Sequence, residues 1–420
     1  MKKKWYQRKK GKLIDRLEMG MMAVIVGLLC VLVVMVIAIK VRGTAGDQAQ
    51  GAAAQAEGEA SDQPGQAETS PGESQDAAGE EDGLYLGPRE GNGYEPMTEE
   101  EKAAWEEKRR VSASFTVSAA GDCTLGTDEH FSKNTSFVAK YDEVQDPSYF
   151  FAGVQSVFGQ DDLTIVNLEG TFTELTSRAD KQYAFKGDPS YVEILTSGSV
   201  EAVNVANNHS KDYGTESYYD TLDVLRGAGV KYFGYGTTLL MEVNGIQVGM
   251  LGTYELAQGI ECKEDLLAGL QSLKDQGAQV IIASFHWGVE REHYPTDVQV
   301  ELAHLAIDNG ADLVLGHHPH VLQGIEKYKG KYIAYSLGNF CFGGNKNPSD
   351  KDTMIFQQTF TLKDGELQVD DNIEVIPCTL SSTDARNDYQ PTLAEGERAD
   401  EILERIQEYS SELGTENQAA

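Results

Sequence analysis

The chain of 420 residues carries 67 acidic and 35 basic side chains, a formal net charge of −32 at neutral pH. That balance excludes nucleic acid as a partner, because phosphate binding needs clustered lysine and arginine. The length suits one large domain with appendages, or two ordinary domains.

Basic residues gather once, between Lys2 and Arg16, directly before an uncharged apolar run from Met19 to Ile39 that Lys40 and Arg42 close. A helix needs about 20 apolar residues to cross a bilayer, whereas the apolar core of a cleaved secretory signal has roughly 7–15. Residues 19–39 therefore read as a single transmembrane signal anchor. Residues 1–18 form a basic segment, which the positive-inside rule leaves in the cytoplasm, so that the main domain lies outside the cell. Cys30 follows Leu29 rather than the small residue that lipoprotein processing needs.

Residues 43–110 read as an acidic, disordered stalk. Up to Gly93 they are mostly Ala, Gly, Gln, Glu, Ser and Pro, with too little apolar surface to offset the entropy of ordering. Inside this stretch Met97–Arg110 has the capping threonine, Thr98, and the early acids of a short helix.

From Val111 short apolar runs alternate with amphipathic stretches, which predicts an α/β domain over 111–380. The predicted strands are Ser114–Ala119, Leu163–Val166, Ala202–Ala206, Val280–Phe285 and Leu313–Leu315. Hairpins are expected at Asn244-Gly245 and Asp364-Gly365. Helices are expected over Ser217–Arg226, Glu264–Gln276 and Asp297–Asp308, the last stopped by Asn309-Gly310. Residues 381–420 read as a charged tail, helical from Pro391. Cys123, Cys262, Cys341 and Cys378 form no C-x-x-C pair; mostly free, buried thiols are expected, with room for one disulfide.

Each predicted strand runs into a polar loop. In order, these are Gly121-Asp122-Cys123-Thr124, Asn167-Leu168-Glu169-Gly170, Asn207-Asn208-His209, His286-Trp287-Gly288 and Gly316-His317-His318-Pro319-His320. Ligands of α/β sheets bind beyond the carboxyl ends of the strands, so these five loops are expected to converge. Imidazole, carboxylate and amide oxygen together suit manganese, zinc or iron rather than calcium. Two such ions about 3.5–4 Å apart can clamp a phosphoryl group, and a histidine that binds no metal can protonate the leaving oxygen. Trp287 is read as packing beside its loop at least as readily as stacking on substrate. Cys123 is expected to be turned away from the site by strand alternation. His130 and His293 have no motif support, and His304, off the apolar face of its helix, is expected to be a solvated surface residue.

The ordered series GDCTLG, NLEG, NNHSKDYG, HWG, GHHPHVLQ and YSLGNF resembles the CapA-type poly-γ-glutamate capsule-synthesis family, itself similar to calcineurin-like metallophosphoesterases. The resemblance covers residues 112–377 and implies a layered α/β sandwich. Asp122 would be the first metal ligand, Glu169 the bridging carboxylate, Asn208 an amide ligand and His286 an imidazole ligand. His318 and His320 have the H-x-H spacing of the last motif, with His317 the competing alignment. His209 would be the acid and Asp212 its orienting partner. Asn339 would face the substrate, a role weighed evenly against a structural turn. One or two divalent ions are implied. Thr124 stands where the wider superfamily has histidine, and Glu169 where it has aspartate.

Three functions follow from this pattern. The first is a metal-dependent hydrolase or transferase on an anionic polymer, poly-γ-glutamate by the resemblance, working with membrane synthase subunits. The second is a membrane-tethered, non-catalytic scaffold of a polymer-synthesis complex. The third is a phosphoesterase on small phosphate esters.

Overall fold

Apolar side chains at every second position of the predicted strands form the facing sides of two sheets. In chain order the main strands are β1 (Ala113–Thr124), β2 (Leu163–Leu168), β3 (Ala202–Asn204), β4 (Lys231–Phe233), β5 (Leu239–Val243), β6 (Ile246–Tyr254) and β7 (Val280–His286). They continue with β8 (Leu313–His317), β9 (Ile325–Tyr328), β10 (Lys331–Ala334), β11 (Asn339–Phe342), β12 (Asp352–Lys363), β13 (Ile373–Thr379) and β14 (Thr392–Leu393). One sheet of nine strands runs β14-β13-β12-β1-β2-β3-β4, with β11 pairing β1 and the short strand Glu366–Leu367 pairing β12 off that path; the other, of six strands, runs β9-β10-β8-β7-β6-β5. Phe115, Val117 and Ala119 of β1 share one core cluster with Ile246, Val248 and Met250 of β6 and with Leu313 and Leu315 of β8. A side-chain period of two turns these residues to one face.

Helices cover the outer faces. They are α1 (Phe137–Val144), α2 (Val192–Ser197), α3 (Thr215–Ala228), α4 (Lys263–Asp275), α5 (Asp297–Asp308) and α6 (Gly396–Ser411). Leu195 of α2 and Leu225 of α3 pack with Val166 and Val203 on the outer side of the first sheet. Leu266 and Leu270 of α4 and Leu302 of α5 pack with Ile281 and Ala283 on the outer side of the second. The order is helices, sheet, sheet, helices, a layered α/β fold. In the tail, Ile402 and Ile406 of α6 enter the central cluster, and Arg398 and Arg405 both reach the buried Asp352 carboxylate.

This computed structural model describes residues 86–87, 95–96, 98, 112–368 and 371–413, all within one compact unit, Gly83–Ala420. The anchor expected over 19–39 and nearly all of the stalk expected over 43–110 lie outside the described residues. Among the described residues no helix is long and apolar enough to cross a membrane.

Local chemistry sets the boundaries. Asn244 (φ 50°) and Gly245 (φ 83°) turn β5 into β6, and Asp364 (φ 56°) and Gly365 (φ 79°) make the second expected hairpin. Helix α5 spans the predicted residues; Thr296 and Gln299 close a capping box at its start. The strands run further than their apolar runs, so that Asp122, His286 and His317 are strand residues rather than loop residues. The Cys123, Cys262, Cys341 and Cys378 thiols are free and buried.

Candidate metal centre

Strand register draws the polar residues into two rows. In the first sheet Asn339 of β11 pairs with Asp122 of β1, Asp122 with Asn167 of β2, and Asn167 with Asn204 of β3. In the second sheet Tyr254 of β6 pairs with His286 of β7, and His286 with His317 of β8. Apart from Asn339, which opens β11, both rows lie toward the carboxyl ends of parallel strands, and the loop after β3 reaches across: His286 Nε2 lies 2.8 Å from Asn208 Oδ1. Close backbone contacts fix the edges. A Cβ on Gly121 would stand 2.0 Å from the Gly338 carbonyl oxygen, and one on Gly316 would stand 1.9 Å from that of Tyr335, so only glycine fits either position.

Glu169 stands at the centre. It is fully buried, and neither carboxylate oxygen has a hydrogen-bond partner. Its Oε1 lies 3.7 Å from His209 Nε2, 3.9 Å from His286 Nε2 and 3.8 Å from His320 Nε2. On the far side of His320, Nδ1 lies 3.2 Å from Asp122 Oδ2 and 2.9 Å from Asn339 Oδ1. Asp122 also accepts from the Asn167 amide at 2.8 Å and from the His318 backbone N–H at 3.2 Å. Both ring nitrogens of His317 and Nδ1 of His318 are buried without partners.

Burial and charge then set the protonation states. Burial works to raise the Asp122 pKa, but the His320 hydrogen bond and the His320, His317 and His286 charges hold it well below the usual carboxylate range. Burial lifts Glu169 well above that range, with Asp122 and Asp212 adding and His320 opposing. Burial alone would lower His320; the Glu169 and Asp122 carboxylates outweigh it and push it up to about 9. Burial pushes His317 and His318 down to about 4 and His286 well below its ordinary value. These rings are therefore neutral at neutral pH and have lone pairs to offer.

The residues fit a divalent ion. Ligand atoms of Asp122, Glu169 and His320 lie within 4.8 Å of one another, as do those of Glu290, His318 and His320, so the two groups share His320. Unpartnered buried carboxylate oxygens and imidazole nitrogens are costly unless something positive binds them. Non-glycine residues at positive φ supply part of the set, His318 (97°) and His320 (58°); such strain persists where the surroundings enforce it, often at binding sites. Below about pH 9 His320 holds a proton, which an ion must displace before the ring can coordinate. Metal affinity should therefore rise as pH climbs from neutral toward about 9, with proton release seen by calorimetry in buffers of different ionisation enthalpy. Affinity that is flat across that range would mean that His320 is not a ligand.

A second arrangement adjoins the first. His209 Nδ1 lies 2.6 Å from Asp212 Oδ2, and Lys181 Nζ donates to Asp212 Oδ1 at 2.7 Å and to the Asn208 carbonyl at 2.9 Å. Phe185 packs on the His209 ring at 4.4 Å. Burial lowers the His209 pKa, partly offset by Asp212. A cavity of about 430 Å³ opens above, bordered by His209, His320, Asn339 and Tyr183.

All ten residues singled out in the sequence gather here: Asp122, Glu169, Asn208, His209, Asp212, His286, His317, His318, His320 and Asn339. Sequence reasoning missed Asn167, Lys181 and Glu290. Asn167 lies two residues before Glu169 in a strand of period two, a signal that was readable; Lys181 comes from a separate loop and left none. Trp287 is fully buried, stacked on Phe285 at 4.3 Å and donating to the Tyr335 carbonyl at 2.9 Å, so it supports the strand end. Cys123 is buried in the outer apolar cluster, where burial pushes its thiol pKa up. The expectation for His304 is corrected. Its ring stacks on Tyr328 at 3.7 Å and its Nε2 lies 3.0 Å from the Glu326 carboxylate, a partner 22 residues away that helix periodicity does not register.

The family profile described as "Bacterial capsule synthesis protein PGA_cap" matches residues 116–344. The chain is 30% identical over 253 residues to the PGA biosynthesis protein CapA of Bacillus subtilis (strain 168), an alignment covering 55% of this chain and 63% of that protein, less than two thirds of its length. It is 28% identical over 299 residues to the capsule biosynthesis protein CapA of Bacillus anthracis, covering 65% of this chain and 69% of the relative. Among solved structures, a hypothetical protein from Thermus thermophilus aligns at 14% identity with a TM-score of 0.38, over 62% of this chain and 98% of its own.

Proposed function

The chain belongs to the bacterial capsule synthesis protein family, and from that premise we propose that it acts in the synthesis or export of an anionic capsule polymer, poly-γ-glutamate, as a metal-dependent hydrolase or transferase. The observation that carries this reading is Glu169, a buried carboxylate with no hydrogen-bond partner on either oxygen and three imidazole nitrogens within 3.9 Å. Asp122, Glu169, Asn208, His286, His318 and His320 would hold one or two ions of manganese, zinc or iron, with His317 the alternative to His318. A bound ion would supply Lewis-acid polarisation of the carbonyl or phosphoryl oxygen under attack. His209, oriented by Asp212, handles the proton of the leaving group, and Asn339 contacts the substrate. The apolar run 19–39 tethers the domain to the outer face of the membrane beside synthase subunits, with 43–110 as the stalk.

Thr124 favours a second reading, a tethered scaffold without turnover. It stands where the wider superfamily has a metal-binding histidine, and its buried hydroxyl has no partner. One experiment separates the two. Elemental analysis of the whole purified chain should find stoichiometric metal, lost from an Asp122→Ala, His286→Ala double variant, and the metal-loaded chain should cleave or transfer poly-γ-glutamate or a phosphate ester. No metal after reconstitution with manganese, zinc and iron would leave the scaffold as the account.

A further inference from the structure

The cavity over His209 and His320 does not end there. A second cavity, of about 580 Å³, shares Arg291, Val321, Pro348, Ser349 and Asp350 with it and continues to Lys351 and to Arg398 and Arg405 of α6. The two make one groove that starts at the metal-ligand residues and runs past the loop after β11.

The charge along this groove runs against that of the chain. With 67 acidic and 35 basic residues, an average surface groove would be acidic. Among the described residues, no carboxylate lies within 4.0 Å of the Arg291 guanidinium or the Lys346 ammonium at the junction of the two cavities. Lys351 donates to the carbonyls of Thr383, at 3.4 Å, and Asp384, at 2.8 Å, not to a carboxylate. Farther on, Arg398 and Arg405 share the buried Asp352 carboxylate, and Arg398 also reaches Glu401 at 2.9 Å. Carboxylates do line the groove. Glu290 faces His318 and His320 as one of the metal-ligand residues, Asp384 lies at the far wall, and Asp350 is half-buried between them. None of these pairs with Arg291, Lys346 or Lys351.

Arg291 is also placed with care. Its backbone is left-handed, at φ 68°, and its N–H donates to the Pro319 carbonyl at 2.8 Å. The loop that carries the guanidinium is thus tied to the loop that carries His318 and His320. Positive φ at a non-glycine residue is uncommon and needs enforcement.

The geometry points to a carboxylate track: Arg291, Lys346 and Lys351 hold successive carboxylates of an extended polyanion while one repeat of it lies at the histidine cluster. This inference rests on the polymer reading above and goes further, since a small ester would be satisfied by the first cavity alone. Each exposed contact is weak. Several in line add up, so affinity should grow with the length of the ligand and fall with salt.

The test titrates labelled tri-γ-glutamate and long poly-γ-glutamate against the whole, metal-loaded chain by fluorescence anisotropy, at low and at physiological salt. Wild type should bind the long polymer more tightly than the trimer. An Arg291→Gln, Lys351→Gln double variant should weaken the long polymer on the order of tenfold, and more than it weakens the trimer, with metal content unchanged. An Arg291→Lys variant, which keeps the charge, should bind the long polymer nearly as tightly as wild type. A double variant that binds the long polymer as wild type does would overturn the track while leaving the polymer reading intact. Failure of wild type to bind either ligand would remove the polymer reading and the track together. Polyphosphate that competes as well as poly-γ-glutamate would overturn the assignment to carboxylates.

Discussion

Glu169→Gln should move metal binding and folding in opposite directions: metal is lost, while the metal-free protein gains stability at alkaline pH. Glu169 is fully buried, with both oxygens unpartnered, and a buried charge in that state is expensive. Burial, aided by the Asp122 and Asp212 charges, lifts its pKa from an ordinary 4.5 to about 8 in the metal-free fold. Between those values the folded chain binds more protons than the unfolded chain, so stability falls as pH rises through that window. Glutamine removes this slope. The variant also takes from His320 one of the two carboxylates that raise it to about 9. That contribution is fully present below the ordinary histidine value and lost as pH passes about 9, so its removal subtracts below about 9 and not above it. Above about 9 the variant should be more stable than the metal-free wild type by about 1–3 kcal/mol, read from denaturant midpoints after chelation. Metal affinity should fall by more than about a hundredfold, since partners one shell further out already cost 10–100-fold. A variant that keeps its metal would remove Glu169 from the centre.

Much of this centre is legible before any fold is known. The two periods that build the domain, alternation in the strands and amphipathic spacing in the helices, place a polar break at each strand end, and the parallel strands of the two facing sheets gather those ends. Asp122, Glu169, His209, His286 and the His317–His320 loop therefore meet, as their positions imply. What stays hidden depends on packing between elements distant in sequence. Lys181 reaches Asp212 at 2.7 Å from a loop 31 residues upstream, and nothing local to Lys181 marks it. Arg291 gains its meaning only because its backbone bonds to Pro319. His304 looks solvated on a helical wheel and becomes a structural partner once β9 brings Glu326 beneath it. Trp287 follows His286 in sequence, yet the strand turns it into the outer core.

His209→Gln should cost on the order of 10²–10⁴ in turnover if the chain is an enzyme, the usual range for a general acid or base, with metal content intact. Asp212 and Lys181 hold the ring: Nδ1 lies 2.6 Å from Asp212 Oδ2, and Lys181 Nζ binds the other oxygen. The Nδ1–H then donates to the carboxylate, which leaves Nε2 facing the cavity, 3.7 Å from Glu169 Oε1. Burial keeps the ring neutral, and Asp212 opposes that by favouring the charged form. Removing the carboxylate therefore lowers the pKa of His209 further, so Asp212→Asn should shift the alkaline limb of the pH–rate profile, where the acid loses its proton, to lower pH. It should also cost less than His209→Gln, because the ring survives. The decisive readout is capsule polymer made by cells in which each variant replaces the wild-type copy, measured beside the metal content of the purified chain. Polymer lost with metal retained would mark His209 as a group acting on the substrate. Polymer made at the wild-type level by a metal-loaded His209→Gln protein would mean that the centre holds the fold and its partners together without turning over a substrate.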